Sequence, residues 1–551
     1  MGLLSIRKLT MLSLPVRELS QEERRLMSRE NLSWLLGVTV ITLVGLSLSF
    51  AKPPRSTNLQ STHKNISLWI DVLDEVQSKY VKELDEKQMR QFVENGIDGA
   101  LQSLDPHSNF INTAELAAFN QRNEGKFSGV GIRITLNRKR HPFIEVESPM
   151  VGTPAHKAGI LPEDIIIKVD GKSTENMKLD EVAKLIQGKK GEAVNLTILR
   201  RGVKGPMDVP VVRDTIAIDS VIGYEPLDDP QKKWEYVIDK KNKVAYVRIE
   251  GFTETTVDEL AKVVVELQDQ GINGLILDLR NNPGGLLKSA VQVSSMFLPA
   301  NKKVVTIKGR KKGNQKQEHT EYSRPVHYGE NKTEFEPNID VPIVIILNGG
   351  SASASEIVAA ALKDHLRAII VGARSYGKGS VQNVIFLEGG ESAIKLTTAS
   401  YWRPNGRNIH RFPTSKEDDD WGVKPSKIGK TDYTVEFSDE ERIAYYKHRR
   451  EKDILGKAKQ PDTKEEKKEE PFEDRQLNKA LEYLRAKITG KKPAPVQPKE
   501  KQKSEPQARL RHPLSPQLQV GWNRQMLQRM WVLNDDPQRL RGVYRMDIRY
   551  C

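Results

Sequence analysis

Between Lys243 and Val371 the chain repeats one unit: a short apolar run followed by an amphipathic stretch. Val244–Ile249, Leu275–Leu279, Val341–Leu347 and Ala368–Val371 read as strands, and Thr256–Gln270, Leu286–Phe297 and Ser355–His365 as helices. Continuous apolar strands have both faces covered, and parallel neighbours need a crossover helix. This alternation therefore points to a layered α/β core with a largely parallel sheet. The helix at Thr256 is expected to open on a capping box, Thr256 with Glu259, and to stop at Gly271. Three glycine-rich turns follow strands: Pro283-Gly284-Gly285, Gly349-Gly350 and Gly377-Lys378-Gly379. Sites in such sheets form at the carboxyl ends of strands, so the turns are expected to converge on one edge.

The second turn runs on as Ser351-Ala352-Ser353-Ala354-Ser355-Glu356-Ile357. Ser353 lies between alanines and precedes a helix, whose first amides carry partial positive charge. It is the candidate nucleophile, with nearby amides able to stabilise an oxyanion; Ser351 and Ser355 read as turn and cap residues. A serine needs a base, and a lysine held neutral by burial without a carboxylate partner can be one. Lys378, flanked by glycines, is that candidate. Taken alone it would read as a surface lysine; the serine turn one unit earlier changes that.

Other chemistries fit less well. Gly372-Ala373-Arg374-Ser375-Tyr376-Gly377-Lys378 nearly matches a phosphate-binding loop, but Gly379 stands where Ser or Thr is needed and a strand-like run, Val381–Leu387, follows. Ser61 and Lys64 have the spacing of penicillin-recognising enzymes but lie in a polar stretch without the partner motifs. No His-Glu-x-x-His occurs, and the single cysteine, Cys551, excludes an internal disulfide, a thiolate metal cluster and a cysteine protease. Ten histidines leave a Ser-His-Asp site open, without a Gly-x-Ser-x-Gly elbow.

Residues 31–51 carry no charge, and about 20 apolar residues span a bilayer. Arg24, Arg25 and Arg29 precede them, which favours residues 1–30 in the cytoplasm and the rest exported. An uncleaved anchor is preferred to a signal peptide cut after Ser49-Phe50-Ala51. Residues 52–65 read as a linker and 66–126 as a helical region broken by the turn Leu104-Asp105-Pro106-His107-Ser108. Residues 215–455 hold the α/β core, with a polar insertion at 308–340; 456–490 is charge-rich and ends in a helix, Gln476–Ile488. The net charge is +14, but 491–551 alone holds 13 Lys and Arg against 5 Asp and Glu. A basic, Pro-rich tail of that kind reads as disordered and argues against nucleic-acid binding by the whole chain.

Residues 127–214 change to short strands: Gly131–Leu136, Phe143–Val146, Asp164–Val169 and Val194–Arg200, with a helix at Leu179–Gln187. This order resembles a circularly permuted bacterial PDZ domain. Gly129-Val130-Gly131-Ile132 resembles its carboxylate-binding loop, where a peptide adds as an extra strand. The resemblance implies peptide contacts from Gly129, Val130, Gly131, Ile132, Ile134, Val182 and Ile186.

Over residues 65–490 the chain resembles the carboxyl-terminal processing peptidases, or tail-specific proteases. The match rests on Ser351–Ile357, Gly377–Gln382, Leu104–Ser108, Leu277-Asp278-Leu279-Arg280-Asn281-Asn282-Pro283-Gly284-Gly285, Leu396-Thr397-Thr398-Ala399-Ser400-Tyr401 and Pro404-Asn405-Gly406-Arg407. It implies a ClpP/crotonase-like α/β core with an inserted PDZ domain. Ser353 would be nucleophile, Lys378 base and Gln382 the residue orienting the lysine, with oxyanion donors near Gly285 and Ala354. No metal or cofactor is implied. Substrates would be proteins or peptides with apolar C-termini, cleaved via an acyl-enzyme, with a homo-oligomer or an activating adaptor as further partners. Two rivals stand beside this: a catalytically silent PDZ scaffold at the envelope, and a Ser-His-Asp protease in which Lys378 is dispensable.

Overall fold

The computed structural model describes residues 59–136, 141–227, 229, 233–311, 317–335, 340–454, 472–490 and 549–550. The expected anchor 31–51, the leader 1–30 and nearly all of the tail 491–551 lie outside the described residues. Among the described residues no helix is long and apolar enough to cross a membrane. The chain divides into two compact units, Met1–Val93 and Glu94–Cys551. In the first, one helix spans Leu59–Lys79 and exposes Ile66, Leu68, Trp69 and Ile70. It starts inside the stretch read as a linker, because no Gly or Pro interrupts Gln60–Lys64 and those polar residues continue the helix.

The centre of the second unit is a sheet whose principal strands are β1 (Val244–Ile249), β2 (Gly274–Asp278), β3 (Ile343–Leu347) and β4 (Ala368–Gly372). These four lie side by side and parallel, with Val221–Ile222 and Val237–Asp239 antiparallel to β1. Alternate residues serve opposite faces. Ala245, Val247 and Ile249 pack with helices α1 (Thr256–Asp269), α2 (Leu287–Phe297) and α3 (Ala354–Asp364). Val244, Tyr246, Ile276, Val344 and Ile346 pack instead on Leu477, Ala480 and Leu484. Those three belong to helix α5 (Arg475–Thr489), so the terminal helix is a structural layer of the core beyond its expected limit at 455. A second sheet joins Asn109–Ile111, Ser392–Trp402, Lys303–Gly309, Glu318–Tyr322 and Ser380–Leu387.

One further expectation is corrected. The Thr256–Glu259 capping box is absent: Thr255 is the N-cap, and Thr256 Oγ1 accepts from Thr253 N at 2.9 Å. Glu259 instead accepts from Ser220 N, Ser220 Oγ and Val221 N at 2.7–3.0 Å, because an unpaired strand end offers it better donors than its own helix. The polar insertion 308–340 carries strands of its own that its sequence did not announce. It holds Glu318–Tyr322 and a hairpin of Val326–Tyr328 with Thr333–Phe335, part-exposed strands whose polar sequence hides them.

The small β domain enters and leaves through one ribbon, Lys126–Gly129 antiparallel to Asp214–Ala217. Helix α4 (Asp439–Lys452), not foreseen from sequence, ties it to the core. Arg450 bonds Glu147 of the domain, Arg133 of the domain donates to Asp453 O at 2.6 Å, and Arg248 of β1 donates to Asp453 Oδ2 at 2.6 Å.

Inside the core, Asp278 and Arg280 are both buried, at 0% and 3% exposure. Arg280 Nη2 donates to Asp278 Oδ2 at 2.6 Å and Nη1 to Asp474 Oδ1, the N-cap of α5, at 3.0 Å. Tyr246 Oη adds a 2.7 Å bond to Asp278. Removing one partner leaves a buried charge uncompensated, a loss of about 3–5 kcal/mol. Asp278→Ala is therefore expected to lower the unfolding free energy, measured by urea titration, by about that amount and to expose α5 to protease; an unchanged unfolding free energy would contradict this role.

Candidate active site

β2, β3 and β4 are parallel neighbours, so the loops after them leave from one edge. The three glycine-rich turns meet there. The β2 loop is stitched to the β3 loop by a reciprocal pair, Asn281 N to Asn348 Oδ1 and Asn348 Nδ2 to Asn281 Oδ1, both 2.9 Å. Tyr446 Oη of α4 donates to the same Asn281 Oδ1 at 2.8 Å. Asn282, 1% exposed, is the hub below: its side chain accepts from Gly284 N and donates to Ile249 O, and its carbonyl accepts from Ala352 N. Gly284 has φ +105°, and a Cβ there would lie 2.8 Å from Ser353 Cβ, so only glycine allows this approach.

The three serines of the β3 turn separate by environment. Ser351 Oγ donates to Leu279 O at 2.8 Å and Ser355 Oγ to Asn282 O at 3.0 Å; both residues are fully buried. Ser353 is partly exposed, and its hydroxyl makes no helix-cap bond. Its backbone sits at φ +55°, ψ −113°, a conformation a non-glycine residue holds at roughly 1–3 kcal/mol of strain. Such strain marks positions where the surroundings fix a side chain for use. Among the described residues no protein acceptor meets the amides of Gly285 or Ala354.

What holds the geometry is Glu356, buried in the first turn of α3. Oε2 accepts from Ser353 N and from Lys378 N, each at 2.8 Å, so the two backbone nitrogens are no more than two such bonds apart. Oε1 accepts from Gly377 N and Ser375 Oγ, each at 2.6 Å. Four donors fill the acceptor sites of one ionised carboxylate. Burial pushes the Glu356 carboxyl up, the four hydrogen bonds pull it back, and the balance is about 6. Gly379 is also obligatory, since a Cβ there would lie 2.3 Å from His410 N.

Gln382 lies on Ser380–Leu387 at a register shift, opposite Thr397. Its amide donates to Ser380 Oγ at 2.9 Å and Thr397 Oγ1 at 3.2 Å. Thr397 Oγ1 passes a bond to Asp105 Oδ1 at 3.0 Å, which brings the Leu104–Ser108 turn to the site. Asp105 takes Ser108 Oγ, Ser108 N and His107 N. Burial raises its carboxyl, and these bonds outweigh burial and hold it below the usual value. Burial, the largest cause, pushes His107 down to about 4. His107 is thus neutral at ordinary pH, and Asp105 bonds its main chain rather than its ring.

In the small domain, Val130, Ile132, Ile134, Val182 and Ile186 are all fully buried in one cluster, with Gly129 buried beside them. Gly131, at φ +80°, has room for no Cβ, since Thr153 Cβ would be 2.4 Å away. Met150 N and Ala155 N donate to the carbonyls of Gly131 and Val130 and fix the loop.

Sequence reasoning assigned no role to Glu356, Asn282 or His107. The signal for Glu356 was available: one carboxylate followed by Ile357-Val358-Ala359-Ala360-Ala361-Leu362 has to be buried, and a buried carboxylate needs donors.

Residues 243–424 match peptidase family S41, and residues 145–200 match a PDZ domain. The carboxy-terminal-processing protease of Bartonella bacilliformis is 34% identical over 443 residues, covering 79% of this chain and 91% of that protein. The carboxy-terminal processing protease CtpA of Bacillus subtilis is 34% identical over 339 residues, covering 61% of this chain and 65% of that protein. A solved photosystem II D1 C-terminal processing protease aligns at 28% identity with a TM-score of 0.34, covering 67% of this chain and 86% of that one. The family and domain matches and the two sequence relatives define a PDZ-bearing serine peptidase of the carboxy-terminal processing kind. The chain belongs to peptidase family S41.

A carboxyl whose folded pKa lies above its unfolded value is protonated preferentially in the folded state. The Glu356 contribution is therefore greatest below pH 4.5 and is lost as pH rises through about 6. Unfolding free energy of wild type minus that of Glu356→Gln should fall by about 2 kcal/mol between pH 4.5 and neutrality. A difference that grows in favour of wild type over that range would contradict the assignment.

Proposed function

We propose that this peptidase cleaves proteins with apolar C-terminal tails, using Ser353 as nucleophile and Lys378 as base. The observation that carries this reading is the shared Glu356 carboxylate, which keeps the Ser353 and Lys378 main chains side by side. Ser353 Oγ attacks the scissile carbonyl carbon as Lys378 Nζ takes its proton. The resulting oxyanion lies against the amides of Gly285 and Ala354. Collapse breaks the C–N bond, and Lys378 returns the proton to the leaving amine. Water, deprotonated by the same lysine, then hydrolyses the acyl-serine. Gln382 orients the lysine without fixing it as a cation. The PDZ domain captures the substrate tail, and its ribbon connection carries it toward the serine.

We further infer that the enzyme is exported and anchored by residues 31–51, on the strength of that uncharged run and the three arginines before it. Substrates would then be extracytoplasmic proteins.

The test is cleavage of an unfolded protein with an apolar C-terminus by chains starting after Ala51. Wild type should cleave it, whereas Ser353→Ala and Lys378→Ala should each lose at least ~10³-fold in kcat, as expected when either half of a nucleophile–base pair is removed. His107→Ala should stay within about ten-fold of wild type. The pH profile of kcat/KM should keep its shape in His107→Ala, and its alkaline limb should follow a lysine ionising below the ordinary value of about 10.4. Activity that survives Lys378→Ala but not His107→Ala would replace this reading with the histidine one. Cleavage by none of the proteins, wild type included, would favour the silent scaffold.

A further inference from the structure

The sheet of the PDZ domain carries a strand that belongs to neither the domain nor the peptidase core. Arg549–Tyr550 pairs antiparallel with Ile132–Leu136, Arg549 opposite Ile134 and Tyr550 opposite Arg133. The order across the sheet is 549–550, 132–136, 144–149, 165–169, 193–199 and 207–212. Without the added strand, Ile132–Leu136 would be an edge with its peptide groups unpaired, a template for another strand. Helix Leu179–Ile186 lies against both Ile132–Leu136 and the added strand. The added strand therefore occupies the slot between that strand and that helix. Its direction is informative: from Arg549 to Tyr550 the register moves from Ile134 to Arg133, toward Gly131 and Val130. A ligand that enters by β-addition with its end at the Gly129–Ile132 loop runs the same way.

We propose that the strand Arg549–Tyr550 is an internal ligand of the PDZ groove, which competes in cis with substrate tails. The competition rests on the reading above, that the groove takes such tails; the docking itself rests only on the backbone pairing. The segment is joined to α5 in the same chain by residues 491–548. Tethering replaces a bimolecular encounter by an intramolecular one, so the segment competes at an effective concentration no dilute peptide matches. A substrate tail must displace it before delivery to Ser353, which restrains the peptidase toward weakly binding proteins.

Two fluorescent decapeptides serve as probes, one with the sequence of residues 542–551 and one ending in three valines. They are titrated into the full chain and into a chain lacking 546–551, both carrying Ser353→Ala to prevent turnover. Both peptides should bind the shortened chain at least about ten-fold more tightly. The full chain with Arg549→Pro and Tyr550→Pro, which removes the strand's donors, should behave like the shortened one. Hydrogen exchange of the Ile132–Leu136 amides should be slower in the full chain, at a rate independent of protein concentration. Equal affinity of the 542–551 peptide for full and shortened chains would overturn the internal ligand. Protection that rises with concentration would overturn the cis form in favour of exchange between copies. Binding of the 542–551 peptide but not the valine peptide would overturn competition and, with it, the reading of the groove as a substrate site.

Discussion

One buried carboxylate ties together the segments on which the chemistry depends. Glu356 accepts from the main chain of Ser353, from Gly377 and Lys378, and from the Ser375 hydroxyl. The Ser353 turn follows β3 and the Lys378 loop follows β4, and nothing in the strands alone fixes the distance between such loops. A carboxylate with two oxygens and four donors does so, and burial strengthens each bond by lowering the local dielectric. The same burial raises the cost of the charge, which is why the carboxyl is pushed up to about 6 rather than down. The strained backbone of Ser353 is sustained by this arrangement, with Gly284 packed against its Cβ.

Around this centre the rest of the molecule provides rigidity in layers. The β2 loop is held to the β3 loop by the Asn281–Asn348 pair and to β1 by Asn282. Just before that loop, Asp278 and Arg280 lock β2 to the cap of α5. Helix α4 touches the site loop through Tyr446 and the PDZ domain through Arg450. Arg133, which donates to the carbonyl of Asp453 after that helix, sits on the strand that pairs with Tyr550. The groove strand and the site loop are thus attached to the same helical segment.

The α/β alternation and the glycine-rich turns after its strands were legible because each is a local pattern, and their convergence follows from the parallel sheet. Apolar runs report burial, glycines report tight turns, and two serines with engaged hydroxyls are what a turn and a cap require. The role of Glu356 was not legible in the same way, because three of its four donors lie 19–22 residues further on and meet it only after β4 is placed. Helix α4 was missed because Asp439–Lys452 buries only Tyr445 and Arg449 and shows little apolar periodicity. The Thr256–Glu259 box failed for the converse reason, a tertiary donor set outcompeting a local motif. The pairing of Arg549–Tyr550 with Ile132–Leu136 joins residues more than 400 positions apart, beyond the reach of any periodicity.

The most direct test of the account is labelling by a serine-directed fluorophosphonate, followed by peptide mapping. It reads nucleophile activation without requiring a natural substrate. The account predicts one adduct, on Ser353, with a labelling rate that falls at least about ten-fold in Glu356→Ala although Ser353 is untouched. An adduct on another residue, or an unchanged rate in Glu356→Ala, would contradict it.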